Sequence, residues 1–207
     1  MDESFGHMPL LDAVDLDILM HKEAHFGGNF SIMIDYYAEN GVGVMPDFEL
    51  SRIEELQAIE RSLGTSLAEH LLPPQAMEQV KLSKKLYHDL RQVYSAGEKT
   101  LGAKLSDLIL TEKELPMEEI QAILKFSTSC FEPLCQLVTN PNLYDPLFPG
   151  YGRTPIFAAM ALENLQDQRA LPYLFPLWDR KTFLLTTPSS VRSSLSKRKG
   201  KISYSSA

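Results

Sequence analysis

Two histidines four residues apart, His21 and His25, are the first residues in this chain with a spacing that chemistry could use. On a helix they share one face, and with a carboxylate such as Glu23 they would offer imidazole and oxygen ligands to zinc. The order His21-Lys22-Glu23-Ala24-His25 differs from the His-Glu-x-x-His pattern of metalloproteases, so a third ligand would have to come from elsewhere. A metal-dependent enzyme built on His21, His25 and Glu23 is therefore the alternative reading, and paired polar side chains on a helix are the simpler one. No cofactor is expected. Asp12, Asp15 and Asp17 lack the glycine bend of a calcium loop and suit an acidic helix start. Cys130 and Cys135 fall five apart, off a common helical face and outside any Cys-x-x-Cys pair, and read as small buried residues. Gly41 and Gly43 lack the strand-turn-helix frame of a dinucleotide site, and no phosphate loop, Gly-x-Ser-x-Gly or kinase signature occurs.

The segment from Asn140 to Gly152 offers binding rather than catalysis. Tyr144, Phe148 and Tyr151 sit among three prolines, and Arg153 follows before a helix start. Aromatic side chains on a stiffened loop lose little entropy on docking, so Tyr144, Phe148, Tyr151 and Arg153 are candidate partner contacts. Folding back to cap a core is the competing use of the same residues.

These groups must be held by helices, because the apolar periodicity is helical throughout the body. Helices are predicted over 10–25, 29–40, 48–63, 66–72, 75–95, 101–110, 117–126, 131–138, 154–165 and 171–177. Gly27-Gly28, Gly64, Pro73-Pro74 and Gly97 or Gly102 mark stops. Thr154-Pro155 reads as an N-cap followed by a first-turn proline. Leu50, Ile53, Leu56, Ile59 and Leu63 form one stripe. The only strand-like run is Thr182–Thr187, which could equally be an extended arm.

The chain has 207 residues, 44% of them hydrophobic and 23% charged, which suits a globular domain and excludes wholesale disorder. No apolar run reaches 18 residues, and the Met-Asp-Glu-Ser start lacks a signal peptide's basic region, so no membrane association is expected. Two cysteines suit a reduced, cytoplasmic setting. The net charge of −7 is uneven. Residues 180–207 carry seven basic side chains and no acidic one, leaving −14 on residues 1–179. The body should repel nucleic acid, so such a partner would need the tail residues Lys197, Arg198, Lys199 and Lys201. Eight serines from residue 188 onward leave too little apolar surface for a packed tail.

The segment Arg153 to Leu177 carries a recognisable pattern in Arg153, Ala158, Ala159, Ala161, Leu162, Leu165, Asp167, Ala170, Leu171, Pro172, Leu174 and Leu177. It resembles a HEAT-like helical repeat of the phycobilisome-lyase type, and residues 117–138 resemble a degenerate preceding unit. The C-terminal half is also similar to helical proteins of bacteria. The resemblance implies helices brought close by small alanines, Asp167 in the turn between them, and a surface that binds other macromolecules.

The expected architecture is all-α: an irregular helical stack in one domain over 1–179, solenoid-like and HEAT-like toward its C-terminus, over 117–178. An extended arm and disordered basic tail follow over 180–207. The expected function is a non-catalytic, cytoplasmic protein–protein interaction or adaptor role. A metal enzyme using His21 and His25 is the alternative, and nucleic-acid association through the basic tail is the second.

Overall fold

The computed structural model describes residues 12–40 and 46–178, and these residues form helices and turns with no strand. The arm and tail expected over 180–207 lie outside the described residues, as do Gly41 and Gly43. Where the sequence reads as one domain over 1–179, the chain divides into two compact units, one through Asp89 and one from Leu90. The boundary falls inside a long helix whose surface is rich in lysine and glutamine. Such a helix brings few large apolar side chains to a shared core.

The first unit holds α1 (Ala13–His25), α2 (Phe30–Asn40), α3 (Leu50–Leu63), α4 (Leu67–Leu71) and most of α5 (Pro74–Val93). Asp12 caps α1 in a reciprocal capping box: its carboxylate accepts from the Asp15 amide at 2.9 Å, and Asp15 accepts from the Asp12 amide at 3.3 Å. Gly64 ends α3 at φ +67°, a left-handed C-cap that glycine adopts without steric cost. Ile18 and Leu19 of α1, Phe30 and Met33 of α2, and Ile53 and Leu56 of α3 form the core. The α3 stripe stops short of its predicted end, because Leu63 is about half exposed.

Two ion pairs are built into this core. Lys22 is completely buried, and its ammonium donates to Glu60 Oε2 at 2.7 Å while lying 4.6 Å from the centre of the Phe30 ring. The same carboxylate oxygen accepts the Leu67 amide at 2.8 Å, which links α1, α3 and the start of α4. Buried Asp15 accepts two bonds from one edge of the Arg52 guanidinium, from Nε at 2.7 Å and Nη2 at 2.6 Å, and this pairing is the main cause of a lowered Asp15 pKa.

The second unit holds α6 (Leu101–Leu110), α7 (Met117–Leu124), α8 (Phe131–Thr139), α9 (Thr154–Leu165) and α10 (Leu171–Trp178), with 3₁₀ turns at Ser127–Cys130, Pro141–Tyr144 and Gln168–Ala170. The break before α6 is at Gly97, at φ +112°, and Gly102 lies inside the helix. Every residue from Thr154 to Leu162 is buried, so α9 is enclosed on all sides. It packs chiefly against α8, with α7, α6 and the 141–144 turn completing the enclosure. Ala158, Ala159 and Ala161 are at most 1% exposed, and their short side chains permit this close approach. α10 packs on α8 and on the turn that precedes it. The α8–α9 pair, rather than the expected approach of 154–165 to 171–177, is therefore the main contact of this unit. The cap of α9 is also one residue earlier than predicted: Arg153 is the N-cap and Thr154 lies in the first turn. The Thr154 hydroxyl donates to the Pro149 carbonyl at 3.4 Å.

Two substitutions test these cores. Ala159→Leu adds methylenes where α9 has no free volume and should cost about 1–3 kcal/mol, seen as a lower Tm; an unchanged Tm would contradict the packing. Glu60→Ala removes the nearer of the two carboxylates beside the buried Lys22 ammonium, leaving Glu23 at 3.6 Å, and should cost about 1–3 kcal/mol in denaturant unfolding.

Candidate functional site

α1 places His21 and His25 one turn apart, as their spacing requires, and their rings stack with centroids 5.0 Å apart and planes 10° from parallel. His21 is 4% exposed, and the Phe48 ring meets it edge-on at 5.3 Å. The Tyr87 ring of α5 meets His25 edge-on at 5.1 Å, and the Tyr87 hydroxyl and His25 Nδ1 share a hydrogen bond of 2.9 Å. Burial first, and the neighbouring His25 second, push the His21 pKa down to about 3. Glu23, two residues from each histidine, lies instead with lysines: its oxygens are 3.6 Å from Lys22 Nζ and 3.4 Å from Lys84 Nζ. Helical geometry explains this, because a two-residue step rotates a side chain by about 200°. Among the described residues, no group of three or more His, Cys, Asp and Glu side chains is arranged to hold a metal ion. The remaining histidines do not add to the pair: His70 and His88 are exposed, and His7 lies outside the described residues.

Both cysteines sit in the second core, Cys130 in a 3₁₀ turn and Cys135 on α8. The Cys130 thiol donates to the Ser127 carbonyl at 2.8 Å. Burial raises both pKa values, Cys135 to about 11 with a further contribution from Glu132, so both remain thiols at neutral pH.

The segment preceding α9 turns inward. Phe148 and Leu147 are 3% exposed, and Leu143, Pro149 and Gly150 are buried with them. The Tyr144 hydroxyl donates to the Val138 carbonyl at 2.7 Å. Three successive residues, Gly150, Tyr151 and Gly152, have positive φ. A Cβ at Gly150 would lie 2.8 Å from the Ile109 carbonyl oxygen, so this turn requires glycine. The Arg153 guanidinium stands 5.6 Å from the Phe157 ring centre, and Tyr144, Tyr151 and Arg153 are all half-buried. Of the four candidate partner contacts, Phe148 is thus removed from the surface, and the others belong to a segment that closes over its own unit.

A cleft of roughly 430 Å³ that the sequence did not single out is lined by Tyr94, Lys104, Asp107, Thr111, Glu118 and Glu119. The Tyr94 hydroxyl donates to Asp107, which also accepts from Lys104 at 2.8 Å. Burial and the Asp107 carboxylate raise the Tyr94 pKa to about 12. Lys113 pairs with two of the lining carboxylates, Glu118 at 2.8 Å and Glu119 at 2.9 Å, lowering the Glu118 pKa. A phenol held protonated beside the Asp107 carboxylate that it bonds makes this a polar recess. The sequence signals were the Lys104–Asp107 spacing on α6 and the carboxylates at the start of α7.

No family model, no curated protein and no solved structure matches the chain. No described helix is long and apolar enough to cross a membrane. The tail residues Lys197, Arg198, Lys199 and Lys201 lie outside the described residues.

Because Phe148 is interior, Phe148→Ala should cost about 3–5 kcal/mol in chemical denaturation. A surface anchor would give less than about 0.5 kcal/mol at the same position.

Proposed function

We propose that this chain is a non-catalytic protein-interaction protein whose second helical unit is a preformed scaffold for another protein. The observation that carries the reading is the turn entering α7. Leu115 and Met117 are 49% and 42% exposed on either side of Pro116, and two ion pairs from Lys113 hold the turn in place. Two large apolar side chains on a turn stiffened by proline and ion pairs lose little freedom when a partner covers them. Exposed Glu112 and Glu114 precede them in sequence, so the contact suits a partner with apolar and basic side chains.

The chemistry-bearing residues support the same reading. His21 is enclosed, the two thiols are buried and protonated, and in the cleft Asp107 is taken up by Tyr94 and Lys104. On this reading residues 117–178, from α7 to α10, are HEAT-like units with a solenoid character, which the small buried alanines of α9 favour. Free, buried cysteines accord with a cytoplasmic setting.

The test is affinity capture with the intact chain and with a Leu115→Ser/Met117→Ser double variant. A stoichiometric partner retained by the parent chain and reduced at least tenfold in the variant, with circular dichroism and Tm unchanged, is the expected result. Equal capture by both forms would contradict this contact.

A further inference from the structure

The stacked imidazoles of α1 are unused by an interaction role centred on α7, and their placement is unusual enough to require an account. Two parallel rings 5.0 Å apart cannot both carry positive charge without direct repulsion. They are also the pieces through which α1 meets two other parts of its unit: Phe48, just before α3, and Tyr87 of α5. We propose that the His21–His25 stack is an acid-sensitive latch, holding α1 against Phe48 and Tyr87 while the rings are neutral and releasing it when they take up protons.

Among the described residues, the nearest ion pairs join the neighbours of the stack to one another rather than to His21. On α1, Lys22 is committed to Glu60, and Glu23 is held by Lys22 and Lys84. Asp17 precedes His21 by one turn and is exposed. From the segment before α3, the ring neighbour is Phe48, with exposed Asp47 and Glu49 on either side. From α5, Tyr87 faces His25, with Lys84 one turn earlier and the exposed His88 beside it. What acts on His21 is burial and the like-charged form of His25, and both oppose protonation. Neither influence stabilises a cation.

The direction follows from linkage. An unfolded or released His21 titrates near the ordinary value of about 6.5, whereas the latched one does so near 3. The released form therefore binds more protons between these values. Stability of the latch is complete above about pH 6.5 and is lost progressively as pH falls below it. Each proton taken up on release multiplies the opening equilibrium by about ten per pH unit. Release would uncover the apolar side of α1 formed by Ile18 and Leu19, which are fully buried in the latched state.

Hydrogen exchange of the full chain at pH 7.0 and pH 5.0, corrected for intrinsic exchange rates, tests this directly. In the parent chain, α1 amides should lose protection by at least tenfold at the lower pH, while those of α9 in the other unit hold theirs. His21→Phe, which keeps a ring against Phe48, should reduce that loss severalfold. His25→Gln, which removes the like charge and keeps a polar side chain, should reduce it as well. Equal pH dependence in parent and both variants would overturn the latch, as would loss of protection spread evenly over α1 and α9. Should His21→Phe fold poorly, the parent chain decides: a His21 ring-proton shift that stays silent in the protected state while α1 protection falls between pH 7.0 and 5.0 supports the latch, and titration near 6.5 in the protected state overturns it.

Discussion

The enclosure of α9 is the constraint on which the second unit depends. A helix buried along one stripe leaves its other faces free to vary, but one buried from Thr154 to Leu162 imposes a requirement on every neighbour. The neighbour against α8 must come close, which Ala158, Ala159 and Ala161 allow. The chain entering the helix must turn sharply without side-chain bulk, and Gly150 and Gly152 supply that at positive φ. The helix start must satisfy polar groups away from water, and the Thr154 hydroxyl reaches the Pro149 carbonyl. The inward fold of the 140–152 segment is thus a consequence of covering α9, and it is what removes Phe148 from any partner surface.

The first unit solves a different problem. Its helices are shorter of uniform apolar surface, and specific polar bonds fix their arrangement. Lys22 has no exposure at all, so Glu60 must stand beside it, and because Glu60 also receives the Leu67 amide, α3 and α4 are held by the same carboxylate. Asp15 and Arg52 repeat the device between α1 and α3. Buried ion pairs add little net stability over apolar packing, but a displaced partner leaves a charge stranded, which selects one arrangement.

Helix type and rough extent were legible because apolar spacing reports a face, and Gly64 and the proline pair at 73–74 mark ends by backbone chemistry. What the sequence concealed follows from the same physics. α9 is apolar all round, so periodicity carries no information about which helix it meets, and α8 rather than α10 proves to be its main neighbour. The spacing of His21 and His25 revealed their common face, yet ring stacking and the approach of Tyr87 from 62 residues away are tertiary facts. Tyr94 and Asp107 meet across a turn whose geometry depends on Gly97. For the 140–152 segment, composition suited outward display and inward packing equally, and the demand of α9 for cover decided between them.

The role of α9 as organising element is tested most directly by native-state hydrogen exchange across the second unit under increasing denaturant. The Phe157–Leu162 amides should be the slowest of that unit and should exchange only through its global unfolding, with a denaturant dependence matching the equilibrium transition. Exchange of those amides through smaller, local openings, at rates like those of α10, would contradict the account.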